Sequence, residues 1–200
     1  MEQKKTIING HEAVDLGLSV KWATCNVGAE SPEDLGGYYA WGETEEKSDY
    51  SWSTYKWCKG SYDSLTKYCT DSRYGRVDNK TVLDLEDDVA HVKWGDGWRM
   101  PTLDEIGELV EKCTWQRTTV NGVEGYLITG PNGNSIFLPA AGYRKGTDVF
   151  NCGLFGYFWS ATLYEALSNC ACGLYFGSDY YDWTGNTYRS LGLSVRPVTE

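Results

Sequence analysis

The segment Gly97-Trp98-Arg99-Met100-Pro101-Thr102-Leu103-Asp104-Glu105-Ile106 contains the clearest helix start in the chain. Thr102 and Glu105 have the spacing of a capping box, in which each side chain accepts a hydrogen bond from a free backbone amide of the first turn. Pro101 keeps the residue before it extended. The apolar residues that follow have helical spacing and are Ile106, Leu109, Val110 and Cys113. The sequence therefore predicts a helix that begins at Thr102.

Strand signals lie on both sides of this helix. Residues 116–120 and 124–129 alternate around Asn121-Gly122, a strong hairpin signal, and residues 135–139 predict a third strand. Shorter β-like runs are found at 154–160, 172–176 and 193–198. Nearer the N-terminus, Ile7-Ile8-Asn9-Gly10-His11 predicts a strand followed by a turn, and Ser31-Pro32-Glu33-Asp34-Leu35 predicts a short capped helix.

Residues 44–90 have no clear periodicity and predict an insert-like loop, which their aromatic residues would pack down. The acidic run Asp84-Leu85-Glu86-Asp87-Asp88 at its end is compatible with a cation site or with a solvated helix start. Neither His11 nor His91 lies near a nucleophile in the sequence, and we expect both to be structural or solvated.

Length and charge limit the class of protein. Two hundred residues predict a single domain over 1–200, and no apolar run is long enough for a membrane-spanning helix. The net charge of −10 is unfavourable for binding nucleic acid. The N-terminal residues lack the apolar core of a secretory signal, which leaves the location open between a phage virion and a bacterial cell surface. The oligomeric state is not determined by the sequence.

The C-terminal quarter of the chain has an unusual composition. Between Gly146 and Thr199 there is no Lys, Gln or Met, and Glu165 is the only Glu, whereas residues 1–145 contain eleven Lys and twelve Glu. Tyr, Ser, Gly, Asn and Asp replace them. Tyr offers a large contact area at low entropic cost, and small polar residues adapt their hydrogen bonds to a partner. This composition is typical of a recognition surface.

Several strings resemble the Fibrobacter-type major paralogous domain family, whose fold is C-type-lectin-like. The matching segments are residues 14–29, Tyr38-Tyr39-Ala40-Trp41-Gly42-Glu43, Gly97-Trp98-Arg99-Met100-Pro101-Thr102, Pro139-Ala140-Ala141-Gly142-Tyr143-Arg144, Trp159-Ser160-Ala161-Thr162 and Ser194-Val195-Arg196-Pro197-Val198. The resemblance implies a single α+β domain with twisted antiparallel sheets, about two helices and long loops. Trp98-Arg99-Met100-Pro101-Thr102 also resembles a segment of the formylglycine-generating enzymes.

The functional motifs of both related groups are missing. The chain lacks the Asn-Val-Trp-Glu-Trp-like block of the formylglycine-generating enzymes, and it lacks the Glu-Pro-Asn and Trp-Asn-Asp motifs of calcium-dependent lectins. We therefore expect no enzyme activity, no cofactor and no metal. A formylglycine-generating-enzyme-like oxidase is the least favoured alternative, because that block is missing. The fold alone does not determine the function, since one fold carries many different sites.

The C-terminal region, residues 146–196, also resembles the variable region of proteins diversified by diversity-generating retroelements. Randomising the first two bases of Asn codons that end in a pyrimidine cannot produce Lys, Gln, Glu, Met or Trp, and it makes Cys accessible. This mechanism would account for the composition and for Cys152, Cys170 and Cys172 together. The alternative is an undiversified surface adhesin or interaction domain of the same fold.

The expected ligand is an unknown protein or a surface glycan. We predict aromatic anchors and directional polar contacts at Phe155, Tyr157, Tyr164, Asn169, Tyr175, Asp179, Tyr180, Tyr181, Asp182, Asn186 and Tyr188. Tyr180 and Tyr181 cannot both face outward in a regular strand. Trp159, Trp183, Arg189 and Arg196 are expected to belong to the framework.

Overall fold

The computed structural model describes residues 5–178, 180–183 and 185–200. The helices are α1 (Val89–Trp94) and α2 (Leu103–Lys112), and a 3₁₀-helix at Leu85–Asp87 precedes α1. The strands are β1 (Lys5–Ile8), β2 (His11–Val14), β3 (Lys21–Ala23), β4 (Thr114–Val120), β5 (Val123–Thr129), β6 (Ser135–Pro139), β7 (Tyr143–Lys145), β8 (Asp148–Phe150), β9 (Gly156–Leu163), β10 (Cys170–Phe176), β11 (Tyr181–Asp182), β12 (Asn186–Tyr188) and β13 (Val198–Thr199). The predicted α+β class with antiparallel sheets and two helices is confirmed within the described residues.

Helix α2 begins with the capping box that the sequence predicts. The hydroxyl of Thr102 accepts from the backbone N–H of Glu105 at 3.3 Å, and the Glu105 carboxylate accepts from the backbone N–H of Thr102 at 2.8 Å. The guanidinium of Arg99 donates to both carboxylate oxygens of Glu105, at 2.8 and 2.6 Å. The residues that α2 buries are Ile106, Gly107, Leu109 and Val110. The cap fixes the helix start, and the buried face attaches the helix to the core.

Replacing Glu105 with Gln should lower stability in a pH-dependent way. Burial opposes ionisation of the Glu105 carboxyl, but the hydrogen bonds from Arg99 and Thr102 outweigh burial and hold its pKa below the usual 4.5. The ionised carboxylate therefore stabilises the fold above pH 4.5, and that contribution is lost as the pH falls through the folded-state pKa. We expect E105Q to lower the free energy of unfolding at pH 7 by about 1–2 kcal/mol.

Urea unfolding at pH 7 and at pH 3 measures this effect, and the difference between wild type and E105Q should shrink at pH 3. The exposed neighbour Asp104, which lies in the same helical turn, provides the control D104N, with an expected change below about 0.5 kcal/mol. Equal losses in E105Q and D104N at pH 7 would contradict the role given to Glu105.

Within the part of the chain that the structure describes, the strands form four sheets. One has the order β1-β2-β3-β13, a second is the meander β4-β5-β6, and a third is the hairpin β7-β8. In the fourth sheet, which we call the C-terminal sheet, β10 is central and β9 pairs with one of its edges. β11 and β12 pair with the other edge, one after the other along β10. Every ladder is antiparallel. The turn Asn121-Gly122 joins β4 to β5, with positive φ angles of 48° and 84°, as the hairpin signal predicts.

Two large apolar clusters and one small cluster form the core. The first surrounds Trp41, Trp98 and Trp159, each at most 1 % exposed, beneath the β1-β2-β3-β13 sheet and α1. The second fills the space between α2, the β4-β5-β6 meander and the inner face of β9 and β10. The third lies within the 44–90 loop and is formed around Tyr50, Tyr55, Leu65 and Cys69. The loop therefore has its own packed centre, although it contains little regular structure.

Two buried arginines connect the C-terminal region to the rest of the chain. Arg189 donates from Nε to the Tyr55 hydroxyl at 2.9 Å and from its terminal nitrogens to three backbone carbonyl oxygens. Those carbonyls belong to Lys67, Tyr68 and Ser168. Arg189 thus ties the 44–90 loop to the C-terminal sheet.

Arg196 makes the equivalent connection to the N-terminal half. Its guanidinium donates to the side chain of Asn26 at 2.8 Å and to the carbonyl oxygens of Ala23, Thr24 and Phe137. Trp159 is fully buried and donates from Nε1 to the carbonyl of Tyr39 at 2.7 Å. The framework role predicted for these residues is confirmed, and Trp183 packs partly buried against the second cluster.

Two local predictions are wrong. Residues 31–35 form turns and not a helix, because the Asp34 carboxylate accepts from the backbone N–H groups of Glu30 and Ser31 and holds this segment as a tight turn. The predicted strand at 193–198 is reduced to β13, and its earlier residues make isolated bridges, such as the one between Tyr39 and Leu193. A local side-chain turn thus replaces the predicted helix at 31–35, and long-range bridges replace most of the predicted strand at 193–198.

Candidate functional site

The exposed face of the β9-β10 pair presents tyrosines, and its opposite face belongs to the core. Tyr157 lies directly across from Tyr175, and Phe158 lies across from Leu174. Because neighbouring side chains on a strand point to opposite faces, the Tyr157–Tyr175 pair shares one face and the Phe158–Leu174 pair shares the other. Phe158 and Leu174 are at most 3 % exposed and belong to the second apolar cluster. At this end of the sheet, one face therefore carries the tyrosines and the other packs on the second cluster, whereas farther along β9 the tyrosine face is buried in the first cluster at Trp159.

Six aromatic rings make a continuous surface, which we call the aromatic row. Neighbouring centroids are 5.5 Å apart for Tyr143–Phe150, 4.9 Å for Tyr143–Tyr157, 4.7 Å for Tyr157–Tyr175 and 5.3 Å for Tyr175–Tyr180. Phe155 stacks on Tyr175 at 5.7 Å. Ring contacts of this kind hold side chains in place at about 0.5–1.5 kcal/mol each beyond their buried area. The row is a pre-ordered apolar surface with polar tips.

The hydroxyl groups of Tyr157 and Tyr175 are neutral hydrogen-bonding groups. The Tyr175 and Tyr180 hydroxyls share a hydrogen bond, and Asn151 donates from Nδ2 to the Tyr157 hydroxyl at 3.3 Å. Burial raises the pKa of Tyr157, and burial together with the hydrogen bond to Tyr180 raises the pKa of Tyr175. These phenols therefore stay protonated at physiological pH and can donate or accept a hydrogen bond.

The hairpin β7-β8 carries one end of the row and is fixed at two points. Gly146 and Tyr50 exchange backbone hydrogen bonds of 2.8 and 2.9 Å, and Arg144 and Gly192 exchange a second pair at the same distances. The first pair joins the hairpin to the 44–90 loop, and the second joins it to the C-terminal segment. The hairpin is thus held as a rigid wall.

A groove runs along this wall. Its larger part has a volume of about 500 Å³ and is lined by Tyr50, Ser51, Trp52, Lys145, Gly146, Asp148, Phe150, Tyr188, Ser190 and Leu191. Its smaller part, of about 230 Å³, is lined by Tyr143, Tyr157, Asn186, Thr187, Tyr188 and Leu191. Tyr188 and Leu191 belong to both parts, and the ring of Tyr188 lies 6.2 Å from that of Trp52. We call these two parts together the groove.

The structure brings together six of the residues predicted as site residues. They lie in the aromatic row or line the groove, and they are Phe155, Tyr157, Tyr175, Tyr180, Asn186 and Tyr188. Asp182 lies across from Tyr175 at the edge of the same sheet. Asp179 lies outside the described residues.

Three other predicted residues are placed elsewhere. Tyr181 stacks on Trp115 at 4.7 Å, on the side of the sheet away from Tyr175, so that Tyr180 and Tyr181 contact different neighbours. Tyr164 follows the far end of β9, about 20 Å along the strand from Tyr157. Asn169 is predicted as an accessible polar contact, but it is only 7 % exposed. Its carbonyl accepts from the backbone N–H of Arg189 at 3.1 Å, so it belongs to the framework.

Sequence reasoning did not identify Trp52, Tyr143 and Phe150 as site residues. Phe150 and Tyr143 face each other across the hairpin β7-β8, whose strands are too short for a clear periodic signal. Trp52 belongs to the 44–90 loop, where its ring packs against Tyr55 at 5.5 Å and also lines the groove. The aromatic content of that loop is the only sequence signal for it.

The acidic residues at 84–88 serve the protein's own structure. The carboxylates of Asp84, Glu86 and Asp87 lie close together, and the Lys67 ammonium sits among them at 2.7, 3.2 and 2.7 Å. Burial of Lys67 opposes its charge, but hydrogen bonds to Asp84 and Asp87 outweigh burial and raise its pKa. Asp88 caps α1 by accepting from two backbone amides. A lysine thus holds the position that a cation would take.

All seven cysteines are free thiols. Cys170 and Cys172 are buried in β10, where burial raises the pKa of each thiol to about 11. Cys152 is exposed beside the hairpin. A buried position tolerates few side chains, so packing restricts what can stand at Cys170 and Cys172, whereas the exposed position of Cys152 is free of that restriction.

Comparisons with protein-family models, with curated proteins and with solved structures give no match to this chain. Among the described residues, the helices are too short and too polar to cross a membrane.

Truncation of the exposed rings should leave the fold intact. Tyr180 and Tyr188 are 49 % and 54 % exposed, so we expect Y180A and Y188A each to lower the free energy of unfolding by less than about 1 kcal/mol. Phe158→Ala in the packing face of the same sheet is the contrast, with an expected loss of about 3–5 kcal/mol. Urea unfolding of the three variants measures the difference. Comparable losses in all three would show that the rings of Tyr180 and Tyr188 belong to the core.

Proposed function

We propose that this chain is a ligand-binding protein whose residues 146–196 form a receptor- or ligand-recognition surface. The observation that carries the proposal is the aromatic row beside the groove, in which exposed rings stand on a fully buried framework. Phe150, Tyr180 and Tyr188 are at least 40 % exposed, whereas Trp159 and Arg189 are completely buried. Exposed aromatic residues with small polar neighbours are the usual composition of binding surfaces.

The proposed scaffold is a C-type-lectin-like domain of the Fibrobacter-type major paralogous family, with diversification of its C-terminal region by a diversity-generating retroelement. The matching strings quoted above support the family. The restricted composition after Gly146 supports diversification at the exposed positions, and the buried positions of β10 would stay fixed. We propose no catalytic activity and no cofactor, since His11 stacks on Trp94 and neither histidine lines the groove.

The coding sequence tests diversification directly. A nearly identical repeat of the segment that encodes residues 146–196 should lie near the gene, and it should differ from the gene only at adenines of the repeat. Those adenines should fall in codons for exposed residues, including Phe150, Tyr180 and Tyr188. Differences at other bases, or differences concentrated in codons for Trp159 and Arg189, would leave an undiversified adhesin as the function.

A display library tests the surface itself, with hen lysozyme as an arbitrary probe protein. One library, which we call the face library, randomises five exposed residues of the aromatic row and the groove, namely Asp148, Phe150, Tyr180, Asn186 and Tyr188. The control library randomises five exposed residues elsewhere, namely Ile7, Tyr62, Val77, Leu85 and Val92. We expect the face library to yield lysozyme binders at least ten times as often. Equal yields would show that the face has no special capacity for recognition.

A further inference from the structure

The walls of the groove come from two different parts of the chain. Trp52 and Tyr50 belong to the 44–90 loop, and Phe150, Tyr188 and Leu191 belong to the C-terminal region. The proposed variation covers only the second set. Whatever residues the C-terminal region carries, a ligand in the groove therefore meets the ring of Trp52. Trp52 is a constant contact, and its chemistry restricts the class of ligand.

The constant wall offers the ring of Trp52, with Tyr50 only 1 % exposed behind it, and its hydroxyl groups are already hydrogen-bonded. The Tyr50 hydroxyl donates to the carbonyl of Tyr38 and accepts from the backbone N–H of Lys47. The Ser51 hydroxyl bonds to Asp49 and Ser53. A ligand with many hydroxyl or amide groups would lose hydrogen bonds to water here without replacing them, which is costly. The wall therefore suits an apolar ligand with few donors.

The two-part shape of the groove and its fixed wall suit an extended ligand with repeated apolar groups. The groove has two adjoining depressions with the Tyr188 ring between them. The paired backbone hydrogen bonds between Tyr50 and Gly146 and between Arg144 and Gly192 fix the hairpin wall before any ligand binds. A preordered groove loses little entropy on binding, and a preformed polyproline II helix loses little as well. Aromatic ridges with depressions between them are a recurring way of binding such segments.

The charges favour basic residues beside the apolar segment. At the rim, Lys145 and Asp148 face each other across the hairpin and offset one another locally. The whole chain has a net charge of −10, so its long-range field attracts positively charged partners and repels acidic ones.

We propose that the groove binds a proline-rich segment of a protein partner, with basic flanking residues, and that Trp52 is its constant anchor. The inference rests on the proposed function, because it names the partner of the same surface. Proline has no backbone N–H, which suits a wall whose hydroxyl groups are already hydrogen-bonded. Two successive turns of the segment would place proline rings in the two depressions, with Tyr188 between them.

The test uses a fluorescein-labelled peptide of about ten prolines with an Arg at each end. The proline stretch spans about 30 Å in the polyproline II conformation. Fluorescence polarisation with the full chain should show saturable binding. We expect W52A and Y188A each to weaken it at least ten-fold. Tyr62, an exposed aromatic residue of the same loop outside the groove, provides the control Y62A, which should bind as the wild type does. The exposed position of Tyr188 makes Y188A informative even where W52A folds poorly.

Two further peptides set the specificity. Alanine in place of proline should abolish binding, and glutamate in place of the terminal arginines should weaken it several-fold at low salt. Absence of peptide binding, an equal loss in Y62A, or preferential binding of oligosaccharides on a glycan array would overturn this inference. Lysozyme binders from the face library are obtained without the peptide. If one of the three contradicting results is found but the face library still yields lysozyme binders, the proposed function stands and only the proline-rich ligand is overturned. If the face library yields no lysozyme binders either, both proposals are overturned.

Discussion

Replacement of Arg189 by Met is expected to lower the free energy of unfolding by about 4 kcal/mol or more. Arg189 is fully buried, and its guanidinium is the donor for four hydrogen bonds to backbone carbonyls and to the Tyr55 hydroxyl. Each buried acceptor left without a donor costs about 1–3 kcal/mol. The side chain also lies over the Trp41 ring at 5.0 Å, so its packing is lost in part as well.

Urea unfolding monitored by tryptophan fluorescence measures the loss. R73M is the matched control, because Arg73 lies in the same 44–90 loop with a side chain that is 74 % exposed and paired with Asp71. Its expected change is below about 0.5 kcal/mol. Hydrogen exchange should also show amides of the loop losing protection in R189M before those of α2. A loss below about 1 kcal/mol would mean that the loop does not depend on Arg189.

Replacement of Gly142 by Ala should cost about 3 kcal/mol and displace the hairpin wall of the groove. Gly142 has φ +65°, which is unfavourable for a residue with a side chain. A Cβ atom there would lie 2.1 Å from the carbonyl oxygen of Phe150 and 2.7 Å from the backbone nitrogen of Cys152. Backbone atoms cannot move away as a flexible side chain can, so β8 must shift.

Gly146 distinguishes the cost of the positive φ from the cost of the clash with β8. It has a positive φ of +56°, but there is open space where its Cβ would be. G146A should therefore cost only about 1 kcal/mol, from backbone conformation alone. Thermal unfolding of both variants gives the comparison, and the ring proton shifts of Phe150 report the position of β8. Equal costs in G142A and G146A would show that the close approach at Gly142 is unimportant.

The parts of the fold that local chemistry determines could be predicted from the sequence. The capping box at Thr102 and Glu105 and the turn Asn121-Gly122 involve residues that are close in the chain, and both are confirmed. The turn at 31–35 could not be recognised, because its composition suits a helix cap as well as the Asp34-centred turn that forms. A local sequence pattern therefore predicts the backbone conformation only where a single conformation is compatible with that pattern.

Only part of the candidate site could be predicted from the sequence, because the rest depends on contacts between distant segments. The composition after Gly146 indicates a surface region, and four of its predicted aromatic residues fall in the aromatic row. Composition does not distinguish a residue such as Asn169, which is buried because it lies beside Arg189 in the fold. The contribution of Trp52 depends on a contact across 136 positions of sequence, with Tyr188. Such pairings follow from the packing of distant segments.

The place of β13 in the sheet has a consequence for the order in which this protein folds during synthesis. Val198 pairs with Trp22 in β3 and exchanges backbone hydrogen bonds with Arg99, so the sheet begun by the first strands is completed by a residue that lies 176 positions after its partner in β3. While residues 196–199 are still inside the ribosomal tunnel, β3 has an unpaired edge and Arg196 has not reached its acceptors. Folding is therefore expected to finish only after residues 196–199 have left the tunnel, with slow kinetics set by this long-range closure.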